Sequence, residues 1–174
     1  FLVASRDRAC YIIYVARSNT VILQELKKHL ELNKEKLFGD WVKRNSSYDC
    51  YICDRLCMDE DTVRYWDAVW KGQPIEFKKG KSIWLDLVRF SEAFLKCNPE
   101  ASKETLTLFF IPNKAKDRIE QIVCVETYKL IEHIGLNREQ AKQLVELNAS
   151  VPRSLNVQTS LTPKDVRNIA TFIV

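Results

Sequence analysis

Apolar residues recur along this chain at two different periods, and the change of period marks its elements. Arg8 to Arg17 is a short apolar, β-branched and aromatic run bounded by charge, which predicts a buried strand near residues 9–16. Asn19 to Trp41 then places Ile22, Leu26, Leu30, Leu37 and Trp41 on one face, with Lys27, Lys28, Glu31, Lys34 and Glu35 elsewhere, the pattern of an amphipathic helix. Asn45 to Glu60 mixes polar turn residues with closely spaced cysteines and reads as an ordered connection. Val63 to Trp70 and Ile75 to Lys81 flank Lys71-Gly72-Gln73-Pro74, a turn signal that suits a β-hairpin, although Val63 to Trp70 fits a helix equally well.

Ser82 is placed to cap a helix running to about Cys97, with Trp84, Leu87, Val88 and Leu95 on its buried side. Thr105 to Ile111 has the composition of another strand, closed by Pro112 and Asn113. Lys116 to Ile134 reads as mainly helical, although Ile122 to Val125 suits a strand equally well. The C-terminal part is the best punctuated. Asn137 with Gln140 makes a capping box opening a helix through Leu147, and Thr162-Pro163-Lys164-Asp165 repeats the device before Val166, Ile169, Ala170 and Ile173. Ala149 to Ser160, between them, reads as a polar loop.

The expected fold class is α+β: a mostly helical single domain over residues 1–174, with a small sheet near 9–16, 75–79 and 105–111. Residues 137–174 form a helical C-terminal part and a candidate subdomain. An apolar fraction of 46% in 174 residues supports a substantial core, and four glycines with five prolines argue against a loop-rich all-β chain. The chain starts at Phe1, so a fragment of a longer protein is one reading. No run approaches the length of a membrane span, and a membrane partner is not expected. Six cysteines are too sparse for a secreted disulfide scaffold, which favours reduced thiols and an intracellular, cytoplasmic or nuclear setting. The triplets Asn45-Ser46-Ser47 and Asn148-Ala149-Ser150 keep secretion as the alternative.

The candidate chemistry lies between Cys50 and Trp84. Lys71, Lys78, Lys79 and Lys81 are interleaved with Trp66, Trp70 and Trp84, and ammonium groups beside aromatic faces suit phosphates and exposed bases. A net charge of +4 permits such a partner without requiring it. Cys50, Cys53 and Cys57 have part of a zinc spacing but lack a nearby fourth ligand, so ordinary thiols are expected and zinc is not. His29 and His133 are isolated within helical patterns. Four glycines supply no phosphate-binding loop or nucleophile elbow.

Asp67, followed by Glu76-Phe77-Lys78 in the second arm of the hairpin, resembles the signature of the PD-(D/E)xK nucleases. The similarity spans fewer than ~20 residues and lacks the Pro-Asp pair. In that signature the acids hold a divalent metal and the lysine assists the attacking water. The resemblance implies Asp67, Glu76 and Lys78 as catalytic residues, Asp59 or Asp61 as a further ligand, and Mg²⁺ or Mn²⁺ as cofactor. Two expectations therefore compete. The leading one is a non-catalytic macromolecule-binding domain, with RNA or DNA as the first partner and no cofactor. The other is a metal-dependent nuclease, and a protein–protein scaffold is the third reading.

Overall fold

The structure, a computed structural model, describes residues 19–45, 47–61, 66–96, 105–153 and 155–174. The strand expected at 9–16 lies outside these residues. The described chain opens with helix α1 (Asn19–Asn33), two 3₁₀ turns (Lys34–Lys36 and Asp40–Lys43) and helix α2 (Asp49–Leu56). Strands β1 (Asp59–Glu60), β2 (Ala68–Trp70), β3 (Gln73–Lys79) and β4 (Ile83–Asp86) follow, then helix α3 (Leu87–Lys96). Next come β5 (Leu106–Pro112), β6 (Ile119–Glu126), α4 (Thr127–His133), α5 (Arg138–Ser150), β7 (Gln158–Leu161), α6 (Pro163–Asn168) and β8 (Phe172–Ile173).

A six-stranded mixed sheet, ordered β1-β2-β3-β5-β6-β8, organises these elements. β3 and β5 run parallel, with β4 and α3 in the connection between them; the other neighbours are antiparallel. β5 lies inside the sheet and every one of its residues is buried, as expected of a strand covered on both faces. The alternation of side chains divides the core in two. Ile75, Phe77, Leu106, Leu108 and Phe110 meet Ile22, Leu26 and Leu30 of α1 and Ile52 and Leu56 of α2 on one face. Phe109, Ile111, Val123 and Val125 meet Ile83, Leu85, Phe90, Leu130, Ile131 and Val166 on the other.

Both helices and a mixed sheet are present, so the fold is α+β, but it is less helical than the sequence pattern suggests. Ile119–Glu126 is a strand where a mainly helical segment is expected, because Val123 and Val125 face one core while Ile122 and Cys124 face the other. The helix expected from Ser82 begins only at Leu87. Ile83 and Leu85 are buried while Trp84 and Asp86 are exposed, a period of two that makes β4, and Asp86 Oδ1 accepts the N–H groups of Val88 and Arg89 at 3.0 and 3.1 Å to cap α3. The connection expected at 45–60 contains α2.

The first helix stops at Asn33, yet Leu37, directly after the first 3₁₀ turn, and Trp41, within the second, reach the core. Both C-terminal capping boxes form as expected, on Asn137 with Gln140 and on Thr162 with Asp165. The C-terminal part is nevertheless mixed rather than helical. β7 pairs with β4 in a separate two-stranded sheet, taking the end of the expected polar loop, and β8 pairs with β6.

Candidate active site

The hairpin of β2 and β3 determines where the chemistry-bearing side chains point. Ala68 pairs with Ile75 and both face the first core. Asp67, one residue before Ala68, and Glu76, one residue after Ile75, therefore lie alongside each other on the opposite side. The Asp67 N–H donates to the Ile75 carbonyl at 3.0 Å, and its carboxylate accepts the Phe77 N–H at 2.6 Å. Phe77 is buried in the first core, so its neighbours Glu76 and Lys78 project together towards the other face.

The three residues of the Asp/Glu-x-Lys pattern are thus brought to one place. Lys78 Nζ donates to Glu76 Oε1. A single guanidinium nitrogen of Arg89, on α3, lies 3.4 Å from Asp67 Oδ1 and 3.5 Å from Glu76 Oε2. These contacts are longer than the ~2.7–2.9 Å of an optimal charge-assisted pair. Two carboxylates thus share Arg89 at moderate distance, and Glu76 has Lys78 in close contact as well. The Glu76 side chain is only 3% exposed and that of Asp67 13%. Burial pushes the Glu76 carboxyl up to about 7, and nearby Asp67 adds to this, while Lys78 and Arg89 oppose it.

Arg89, Asp49 and Tyr48 belong to this neighbourhood and were not singled out by sequence reasoning. Burial raises the Asp49 carboxyl to about 6, with a further push from Asp67 and opposing pulls from Lys78 and Arg89. The Tyr48 phenol is raised above its ordinary value, first by burial and then by Asp49, Asp67 and Glu76. Tyr48 and Asp49 open α2, and recognising that helix in Asp49–Leu56 would have been the signal for them. Arg89 had no such signal, since its position depends on where β4 hands over to α3.

Of the further acidic ligands, Asp61 accepts the Trp66 indole N–H, and Asp59 is exposed on β1 opposite Val69. No group of three histidine, cysteine, aspartate or glutamate side chains converges on a metal-sized space among the described residues. A cation at this place would have two protein carboxylates, Asp67 and Glu76. That number suits Mg²⁺ or Mn²⁺, hard ions that keep several waters and take remaining ligands from substrate phosphate.

The structure disperses the lysine and tryptophan cluster. Trp70 is 5% exposed within the first core, tilted against the His29 ring with centroids 5.3 Å apart, and cannot offer a face to a base. Trp66 is half-buried and engaged by Asp61. Lys71 pairs with Glu25 at 3.0 Å. Lys79 Nζ donates to the carbonyls of Trp41 and Val42, each at 2.9 Å, and to that of Arg44. Burial lowers the Lys79 amine to about 8. Its ammonium therefore ties the second 3₁₀ turn to β3 rather than facing a phosphate. Trp84 is 60% exposed, and Lys81 is exposed as well.

The described cysteines differ in their surroundings. Cys53 is buried in α2, and burial pushes its thiol up to about 12; Cys50 and Cys57 are exposed. Cys50, Cys53, Cys57 and Cys124 are free thiols. No helix among the described residues is long and apolar enough to cross a membrane. No family model matches the chain, and no curated protein matches it either.

Proposed function

We propose that the protein is a divalent-metal-dependent nuclease, with Asp67 and Glu76 as the metal-holding carboxylates and Lys78 beside the attacking water. One observation carries the reading. An aspartate and a Glu-x-Lys pair nine residues further on converge on one face of a hairpin, with both carboxylates turned to the same positive group. A surface ion-pair network is usually exposed and weakly ordered. This one is largely buried, and Asp67 is fixed in addition by a backbone hydrogen bond.

When bound, Mg²⁺ or Mn²⁺ would acidify a coordinated water and screen the phosphate charge. The protein's own groups have separate tasks. Asp67, fixed at one oxygen by the Phe77 N–H, and Glu76 would supply hard oxygen donors, the cation taking over from the long Arg89 contacts at Asp67 Oδ1 and Glu76 Oε2. Lys78 Nζ, on the same face, places positive charge where an attacking hydroxide and a developing pentavalent phosphate need it. Arg89 balances the two carboxylates through one guanidinium nitrogen, and its buried Nε has no hydrogen-bond partner among the described residues. Lys79 and Lys71 have no part in this reading, being engaged by backbone carbonyls and by Glu25.

The test is cleavage of an end-labelled oligonucleotide in Mn²⁺ or Mg²⁺, compared with chelator. Wild type should cut only with metal, and Glu76→Ala or Lys78→Met should lose on the order of 100-fold or more in rate. Metal-independent cleavage, no cleavage, or a Glu76→Ala variant as active as wild type would overturn the proposal. Binding without cleavage would return the domain to a non-catalytic nucleic-acid-binding role.

A further inference from the structure

Two adjoining clefts leave the candidate site along the end of β3. The first has a volume of about 420 Å³ and is lined by Asn45, Tyr48, Lys78, Lys79, Ser82, Ile83 and Trp84. Lys78 therefore belongs both to the Asp67–Glu76 cluster and to this cleft. The second, about 290 Å³, shares Asn45, Lys79 and Ser82 with the first and adds Lys43, Arg44, Lys81 and Lys116. Among the described residues, no aspartate or glutamate lines either cleft. The gradient is consistent: the aromatic side chains of Tyr48 and Trp84 beside the candidate catalytic lysine, then a group of cations.

The chain's geometry makes this arrangement. Ile83 and Leu85 are buried in the second core, so the alternation of β4 turns Trp84 outward. An indole normally contributes a large apolar area to a core. Here 60% of Trp84 remains open to solvent, on a strand held in register opposite Ser160. Lys43 shares an exposed pair with Asp40 at 3.6 Å, an interaction of the kind that competes little with a phosphate. Lys79 lines both clefts while its ammonium holds the carbonyls of Trp41, Val42 and Arg44, which fixes the wall between them.

We infer that the substrate is a nucleic acid with an unpaired strand, with one base stacked on Trp84 next to the candidate site and the flanking phosphates carried by Lys43, Arg44, Lys81 and Lys116. The inference rests on the nuclease reading for the identity of the neighbouring site, but not for the binding itself. A paired base has both faces covered by its neighbours in the duplex, whereas an unpaired base offers a face to an indole. Base stacking on an aromatic side chain is worth roughly 1–3 kcal/mol and depends little on sequence.

Fluorescence anisotropy in chelator, where no metal-dependent cleavage can occur, tests the track. The probes are labelled oligothymidylate and oligouridylate of about 12 nucleotides, a length within reach of such grooves, and a DNA duplex of equal length. Single strands should bind at least about tenfold more tightly than the duplex, and Trp84→Ala should weaken them by roughly 5- to 100-fold, with Trp84→Phe retaining most of the affinity. Lys43→Ala with Arg44→Ala should reduce the salt slope by about 1.4, two phosphates at ~0.7 each for single strands. The deoxy and ribo arms identify which backbone is preferred. Duplex bound as well as single strand, or affinity unchanged by Trp84→Ala, would overturn the inference; melting of the exposed Trp84 variants confirms that they fold. Cleavage that persists in such a case leaves the nuclease reading standing without the track. Stacking that persists where Mn²⁺ produces no cleavage leaves the track standing without the nuclease.

Discussion

The Asp67 carboxylate accepts the backbone N–H of Phe77 at 2.6 Å, although the Phe77 ring lies in the core on the far side of the sheet. β2 begins only at Ala68, so this side-chain bond takes over from the β2–β3 ladder along the part of β3 that carries Glu76 and Lys78. Asp67 thus has a structural task, holding β3, and a chemical one, facing Glu76.

Substitution separates the two tasks. Asp67→Asn keeps an amide oxygen able to accept the Phe77 N–H, and should change stability by less than about 1 kcal/mol while weakening metal binding sharply. Asp67→Ala removes the acceptor and leaves a backbone donor unpaired, which should cost about 1–3 kcal/mol in urea unfolding. Equal unfolding curves for the two variants would contradict the clamp.

The raised carboxyls make stability depend on pH in a defined direction. Glu76 holds its proton in the folded protein up to about 7, against an ordinary value of 4.5, so the native state binds more protons than the unfolded state within that window. Stability should therefore fall as pH rises from about 4.5 to 7 and level off above, by on the order of 3 kcal/mol from this group. Asp49 acts in the same direction between 3.8 and about 6. Lys79, lowered to about 8, acts with the opposite slope, but only between that pH and 10.5. Urea midpoints from pH 4.5 to 8 check this, and Glu76→Gln should flatten most of the decline. A decline unchanged in Glu76→Gln would assign it elsewhere.

Lys79 and Lys81 should respond differently although they are close in sequence. Lys79→Ala strands carbonyls of Trp41, Val42 and Arg44 that its ammonium now satisfies, and should destabilise the protein by about 2–4 kcal/mol. Lys81→Ala, at an exposed position, should stay within about 0.5 kcal/mol of wild type and weaken oligonucleotide binding instead. Thermal melts paired with anisotropy separate these outcomes. A stable Lys79→Ala that binds poorly would return Lys79 to the phosphate-contacting set.

How much of this was legible in the sequence depended on how local each determinant is. The boxes at Asn137 and Thr162 form from residues three apart, and both are readable because the caps need no tertiary partner. Strand β5 was readable because a run buried on both faces stays apolar throughout. Ile119–Glu126 was ambiguous because a strand buried on both faces shows no alternation to distinguish it from a buried helix. At the site, Asp67, Glu76 and Lys78 could be picked out because a hairpin brings near-neighbours together. Tyr48 and Asp49 were missed with the helix they open, and Arg89 could not be picked out because it arrives from a helix distant in the chain. The tryptophans misled for a related reason: spacing shows that aromatics lie close in the chain, but only packing decides that Trp70 is enclosed and Trp84 exposed.

Calorimetric titration with Mn²⁺ at pH 8, where the raised Glu76 carboxyl is ionised, tests the central claim most directly. Wild type should give a saturable heat of binding that disappears in Glu76→Ala and is strongly reduced in Asp67→Asn. No heat in wild type, or the same heat in Glu76→Ala, would contradict a metal site built on Asp67 and Glu76.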